Sequence, residues 1–158
     1  MEFAEQYKVV PVGHALDISS TVDSDSINMK GFHKATFIIT IDTLGTASSV
    51  LTVNSGATDG AITSALYFDY AFGGAAIASA DCDVLAATTN ANTLSITYGT
   101  YSDYMLVVEV DASAMDTANE EEWLTLRFTD PGTATGTVDI IAILEPRYGG
   151  NCSVTALT

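Results

Sequence analysis

"ATFIITID", Ala35 to Asp42, alternates with a period of two: Ala35, Phe37, Ile39 and Ile41 fall on one side, Thr36, Thr40 and Asp42 on the other, with Ile38 among them. Successive side chains of an extended chain point to opposite faces, so this pattern predicts a strand with one buried side. Four later stretches repeat it. "TLSITYG" places Leu94, Ile96 and Tyr98 inward, and "YMLVVEV" places Tyr104, Leu106, Val108 and Val110 inward with Glu109 outward and Asp111 following it on the same side. "WLTLRFTD" puts Leu124, Leu126 and Phe128 inside and Thr125, Arg127 and Thr129 outside. In "TVDIIAILEP", Val138, Ile140, Ala142 and Leu144 oppose a face that carries Asp139 and Glu145 but also Ile141 and Ile143. That second face is too apolar for solvent alone and predicts contact with a neighbour.

Further strands are expected in "YKVVPV", "ALDIS", "SINMK", "SSVLTVNSG" and "ALYFDYAFGG", with Pro11 marking the first as an edge or an ending. The stretch from Thr58 to Phe72 also suits a short helix through Ile62 and Leu66. The linkers "TNANT", "YGTYSD" and "DPGTATG" are short and rich in turn-forming residues. Eight to ten strands without a clear helix predict an all-β, antiparallel β-sandwich, in particular a jelly roll. No internal repeat or low-complexity linker divides the 158 residues, so one domain is expected, with an N-terminal arm over residues 1–8 and a C-terminal tail over 149–158 that frays or drapes over a partner.

Hydrophobic residues make up 47% of the chain and charged residues only 16%, the polar remainder being rich in Ser, Thr, Asn and Gly. Twenty acidic residues against five basic ones give a formal charge of −15, which repels phosphate backbones and argues against nucleic-acid binding. The first residues lack a basic segment followed by an apolar one, and the apolar runs are soon broken, so neither a signal peptide nor a transmembrane helix is expected. Cys82 and Cys152 then read most simply as free thiols, a disulfide or a metal site being the alternatives.

Motifs for chemistry are weak. Glu109 and Asp111 lie two apart on one strand face, which alternation makes routine rather than glycosidase-like. The loop "DASAMDTANEEEW" lacks the oxygen-ligand spacing of a calcium loop and reads instead as a helical turn capped by Asp116 or Thr117, with Glu120, Glu121 and Glu122 near its positive end. His14 and His33 have no nucleophile elbow nearby, "FGGAA" is no phosphate loop, and no cofactor is expected. The one basic spot is "MKGFHK", where Lys30, His33 and Lys34 are a candidate docking point for an acidic surface.

"INMKGFHKATFIITID", "YMLVVEVDASAMD", "WLTLRFTD" and "VDIIAILEPRY" together resemble a family of small proteins from the structural-gene regions of tailed bacteriophages and prophages. The matching positions are Met29, Lys30, Phe37, Glu109, Val110, Asp111, Ala112, Asp116, Trp123, Pro146, Arg147 and Tyr148, while residues 48–90 match only in character. The resemblance implies a non-enzymatic virion protein made in the host cytoplasm. By analogy of fold and gene class, it implies a capsid decoration (cement) protein on the outer head surface, partnered by the major capsid protein and favouring a homotrimer. Candidate contacts are Ile141 and Ile143, beside Tyr98 or Tyr101, for self-association, and Phe3, Tyr7, Tyr148 and Leu157 at the chain ends for the shell. Arg147 is expected to pair with a carboxylate of the acidic strand or loop and fix the tail's exit. The rival readings are a tail or neck protein, a sugar-binding module using Trp123, Tyr67, Tyr70 and Tyr101, and a depolymerase fragment using Glu109.

Overall fold

The alternating stretches become the long strands of two packed antiparallel sheets. The computed structural model describes residues 2–129 and 134–157, so most of the turn expected over 130–136 lies outside the described residues. Among them, the strands are β1 (Lys8–Asp17), β2 (Val22–Asp23), β3 (Ile27–Asn28), β4 (Phe32–Ile41), β5 (Ser49–Gly56), β6 (Ser64–Ala65), β7 (Phe68–Phe72), β8 (Thr89–Ala91), β9 (Leu94–Ile96), β10 (Met105–Asp111), β11 (Trp123–Thr129) and β12 (Thr137–Pro146). One sheet runs β1-β12-β4-β10-β7-β8; the other runs β2-β11-β5-β6, with β3 also on β11 and β9 also on β5.

Each sheet has an inner face of apolar side chains, and burying the two against each other makes a sandwich. Phe37, Ile39, Leu106, Val108, Ile140 and Leu144 of the first sheet meet Leu51, Val53, Leu124, Leu126 and Phe128 of the second, all at 0% exposure. Side chains of this size contribute about 1.5–3 kcal/mol each on full burial, so this layer dominates stability.

The β-sandwich is as expected, whereas the strand order does not establish a jelly-roll winding. Strands outnumber the expected eight to ten because the chain adds pieces of two or three residues, including β8 in the stretch read as a linker. The 58–72 stretch forms β6 and β7 rather than a helix. Tyr98 does not continue β9 inward: it is 45% exposed and opens a helical turn, α2 (Tyr98–Tyr101), after α1 (Phe3–Gln6) at the other end of the chain.

Thr125 corrects a second expectation. It alternates outward on β11 yet is fully buried, because its hydroxyl meets Ser26 Oγ at 2.6 Å and Ser26 Oγ in turn accepts the Gly60 N–H at 3.0 Å. The connection between β5 and β6 thus closes over that side of the sheet. The acidic loop is a 3-10 turn over Thr117–Asn119 with Asp116 as its N-cap, as expected, but Glu120 is the left-handed C-cap and the glutamates lie at the opposite end from the one predicted. Glu121 turns inward instead, accepting from Ser55 and Ser64 hydroxyls.

The C-terminal tail docks on its own domain. Ala156 is 2% exposed and its carbonyl accepts the Asn28 N–H at 2.9 Å, while Lys8 Nζ donates to the Cys152 carbonyl at 3.2 Å. Cys82 and Cys152 are free thiols.

Candidate interaction surface

On the outer face of the first sheet, strand register assembles apolar residues that are far apart in the chain. Pro11 pairs with Ile141, Ile141 with Ile38, Ile38 with Val107, and Val107 with Ala71, giving one apolar row across five strands. A second row begins Val9–Ile143 and then turns polar through Thr36, Glu109, Asp69 and Asn90. Tyr7, in extended conformation two residues before Val9, continues the β1 side, and its ring lies 5.2 Å from that of Phe3. Ile141 is 46% and Val9 44% exposed. Alternation places each residue outward; neighbouring strands make the row.

The far end of the row is flanked by the chain between β7 and β8. Gly73 bridges to Leu85, and Leu85 lines a shallow depression with Ala71, Val107 and Glu109. A Cβ on Gly73 would meet the Cys82 carbonyl oxygen at 2.6 Å, so the absence of a side chain there allows the loop to lie close.

Carboxylates border the row on both sides. Along one, Glu145, Lys34 and Asp111 are in register next to Glu109 and Asp69. Lys34 Nζ lies 2.7 Å from Glu109 Oε2, and that hydrogen bond, with the charges of Glu109, Asp111 and Asp69, raises the Lys34 pKa. Along the other, Asp139 accepts from the Ala15 N–H and contacts His14 Nδ1, both at 2.8 Å. The Ala15 bond, then the His14 contact, holds the Asp139 carboxyl below its ordinary range.

All five basic side chains have partners within the chain. Besides Lys34, Arg127 makes a bidentate pair with Asp23 at 2.6 and 2.7 Å, Lys30 lies 3.6 Å from Glu122, Lys8 holds the Cys152 carbonyl, and Arg147 Nε donates to the Phe32 carbonyl at 2.8 Å. The basic spot expected at "MKGFHK" is therefore compensated, with His33 exposed beside it. Arg147 does hold the tail's exit, yet through backbone: its own N–H also bonds the Gly31 carbonyl at 2.8 Å.

Of the residues read from sequence, Ile141 and Ile143 lie on this face, and Phe3 and Tyr7 stand against each other beside the start of β1. Lys30 and Arg147 instead line a small depression with Met29, Met115, Glu121 and Glu122. Tyr148 is 72% exposed, and Leu157 is half-buried against the core. Tyr101 does not flank Ile141: its ring stacks on Phe72 at 3.7 Å. Tyr70 also packs on the core, so Trp123, Tyr67, Tyr70 and Tyr101 do not form one exposed platform. Val9 and Val107 carry no mark in the sequence beyond alternation, while Ile38 stands out only as an apolar residue on an outer side and Pro11 only as a sign of an edge. Among the described residues, no group of three or more His, Cys, Asp or Glu is placed to hold a metal ion, and no helix is long and apolar enough to cross a membrane.

No protein-family model matches the sequence, and no curated protein does. A structure of infectious bursal disease virus Gx strain overlaps at a TM-score of 0.14, with 8% identity over 95% of this chain and 42% of that one. The chain is similar in structure to the SPBc2 prophage-derived protein YomS, at a TM-score of 0.49 and 10% identity over 87% of this chain and 91% of that one.

Proposed function

We propose that this chain is a structural protein of a tailed-phage virion, and within it a decoration (cement) protein bound to the outer surface of the mature head. The observation that carries the reading is the apolar row across five strands with carboxylates on both sides, on a sandwich whose cations are already engaged. Such a surface suits holding a partner over a broad face rather than turning over a substrate in a cleft. The sequence resemblance to phage structural-gene proteins supports the same reading.

In this reading the chain has no catalytic role and binds neither nucleic acid nor membrane; its partner is the major capsid protein. Binding that is available only on the mature lattice stabilises that lattice by linkage. A homotrimer at three-fold positions would add three weak contacts through avidity.

The test is quantitative mass spectrometry of gradient-purified virions, comparing copies of this chain with copies of the major capsid protein. A ratio between about one to three and one to one fits a shell-wide cement protein. A handful of copies per particle would shift the reading to the neck or tail. Absence from particles would overturn it and direct attention to glycan contact.

A further inference from the structure

Resting on the virion reading above, we propose that the outer face of β1, β12, β4 and β10 docks on the capsid shell, on a surface with an apolar centre and a basic rim, and not on a second copy of this chain. Three observations lead there.

The first is size. Strands about 4.8 Å apart, rising about 3.3 Å per residue, give this face a footprint on the order of 700 Å², near what one partner contributes to a standard interface. The second is composition. Pro11, Ile141, Ile38 and Val107 form an apolar centre with charge kept to its margins, the arrangement of an interface core and rim.

The third is charge. Near Lys34 stand Glu109, Asp111, Asp69 and Glu145, one cation against four carboxylates, and Asp139 lies across the row. A second copy meeting this face would bring another acidic surface from a chain of net charge −15, whose five basic side chains are all engaged internally. Like-charged rims oppose association, whereas a partner presenting Lys or Arg around an apolar patch is both steered in and held. The pair Ile141 and Ile143, expected at a self-association contact, is thereby assigned to the shell, and any trimer contact lies on another surface.

The experiment adds purified chain to mature heads from a phage deleted for it, and measures occupancy by sedimentation at low and high salt. Variants are Ile141→Asp, Ile141→Thr, which keeps β-branching, the double reversal Asp69→Lys with Glu145→Lys, and Thr52→Glu on the other sheet. Thermal unfolding checks that each is folded, and analytical ultracentrifugation reports its oligomeric state. The expected result is loss of affinity by about tenfold or more for Ile141→Asp and for the double reversal, a smaller loss for Ile141→Thr, none for Thr52→Glu, and weaker wild-type binding at high salt.

If wild type binds heads and the face variants bind equally well, the proposed face is wrong while the virion reading stands. If Ile141→Asp dissociates an oligomer of the free protein, the face belongs to a second copy and the proposal is overturned. If wild type does not bind heads at all, the decoration reading itself fails, and the assigned partner with it.

Discussion

Glu121 Oε2 lies 2.5 Å from the Ser55 hydroxyl, and the two residues are 3% and 0% exposed. Ser64 supplies a second hydroxyl at 3.0 Å, so a carboxylate next to the core is held by neutral donors. Removing one donor leaves a buried acceptor short of a partner. Ser55→Ala is expected to destabilise the fold by about 1–3 kcal/mol in urea denaturation, and Glu121→Gln by less, since its amide oxygen still accepts. Equal stability of Ser55→Ala and wild type would show that the hydroxyl is dispensable.

At Ala15 the backbone has φ +47°, a left-handed conformation in a residue with a Cβ, where the β1 register shifts against β12. Ala15→Gly is expected to stabilise by about 0.5–1 kcal/mol, because glycine adopts this conformation without the side-chain penalty. A lower unfolding midpoint would contradict the strain.

Asp139 holds the same bulge through the Ala15 N–H, and its pKa is lowered from 3.8. A depressed carboxyl contributes stability above its unfolded pKa and loses it as pH falls through the folded value. Wild type is therefore expected to exceed Asp139→Asn in stability at pH 7, with the gap closing below about pH 4. A gap constant from pH 7 to pH 2 would separate Asp139 from the effect.

Lys34 and Glu109 bridge β4 and β10 with side chains about one-third exposed, so a double-mutant cycle should give a coupling of about 0–1 kcal/mol. The Lys34 pKa is raised from 10.5, so this contribution is complete below that value and is lost as pH climbs through the folded one. Equilibrium denaturation from pH 9 to 12 in wild type and Lys34→Met should converge at the alkaline end.

The long strands were legible because one side of each had to be buried: every residue assigned inward in "ATFIITID" and "TVDIIAILEP" is at 1% exposure or less. Reading failed where a later segment changes what covers a residue. Thr125 has an outward position, but Ser26 and the chain near Gly60 lie over it, and nothing local to "WLTLRFTD" records that. Tyr98 fits the alternation of "TLSITYG", yet the chain turns into α2 there and Tyr101 takes the place against Phe72. The candidate surface was legible in its odd residues, Ile141 and Ile143, and not in its extent. Its extent depends on β12 lying between β1 and β4, which periodicity within one strand does not encode.

That strand order also governs when the molecule can fold during synthesis. Among the described residues β12 is the last strand, and it is inserted between the first and the fourth, so the longest pairings of its sheet form only after the ribosome has released residues 137–146. Until then Val9, Val10 and Pro11 of β1 and the facing edge of β4 lack their strand partner, and the nascent chain carries an open seam. Non-local closure of this kind is slow and exposes aggregation-prone intermediates. Translation rate and chaperone supply, rather than final stability, would then limit how much native protein a cell accumulates.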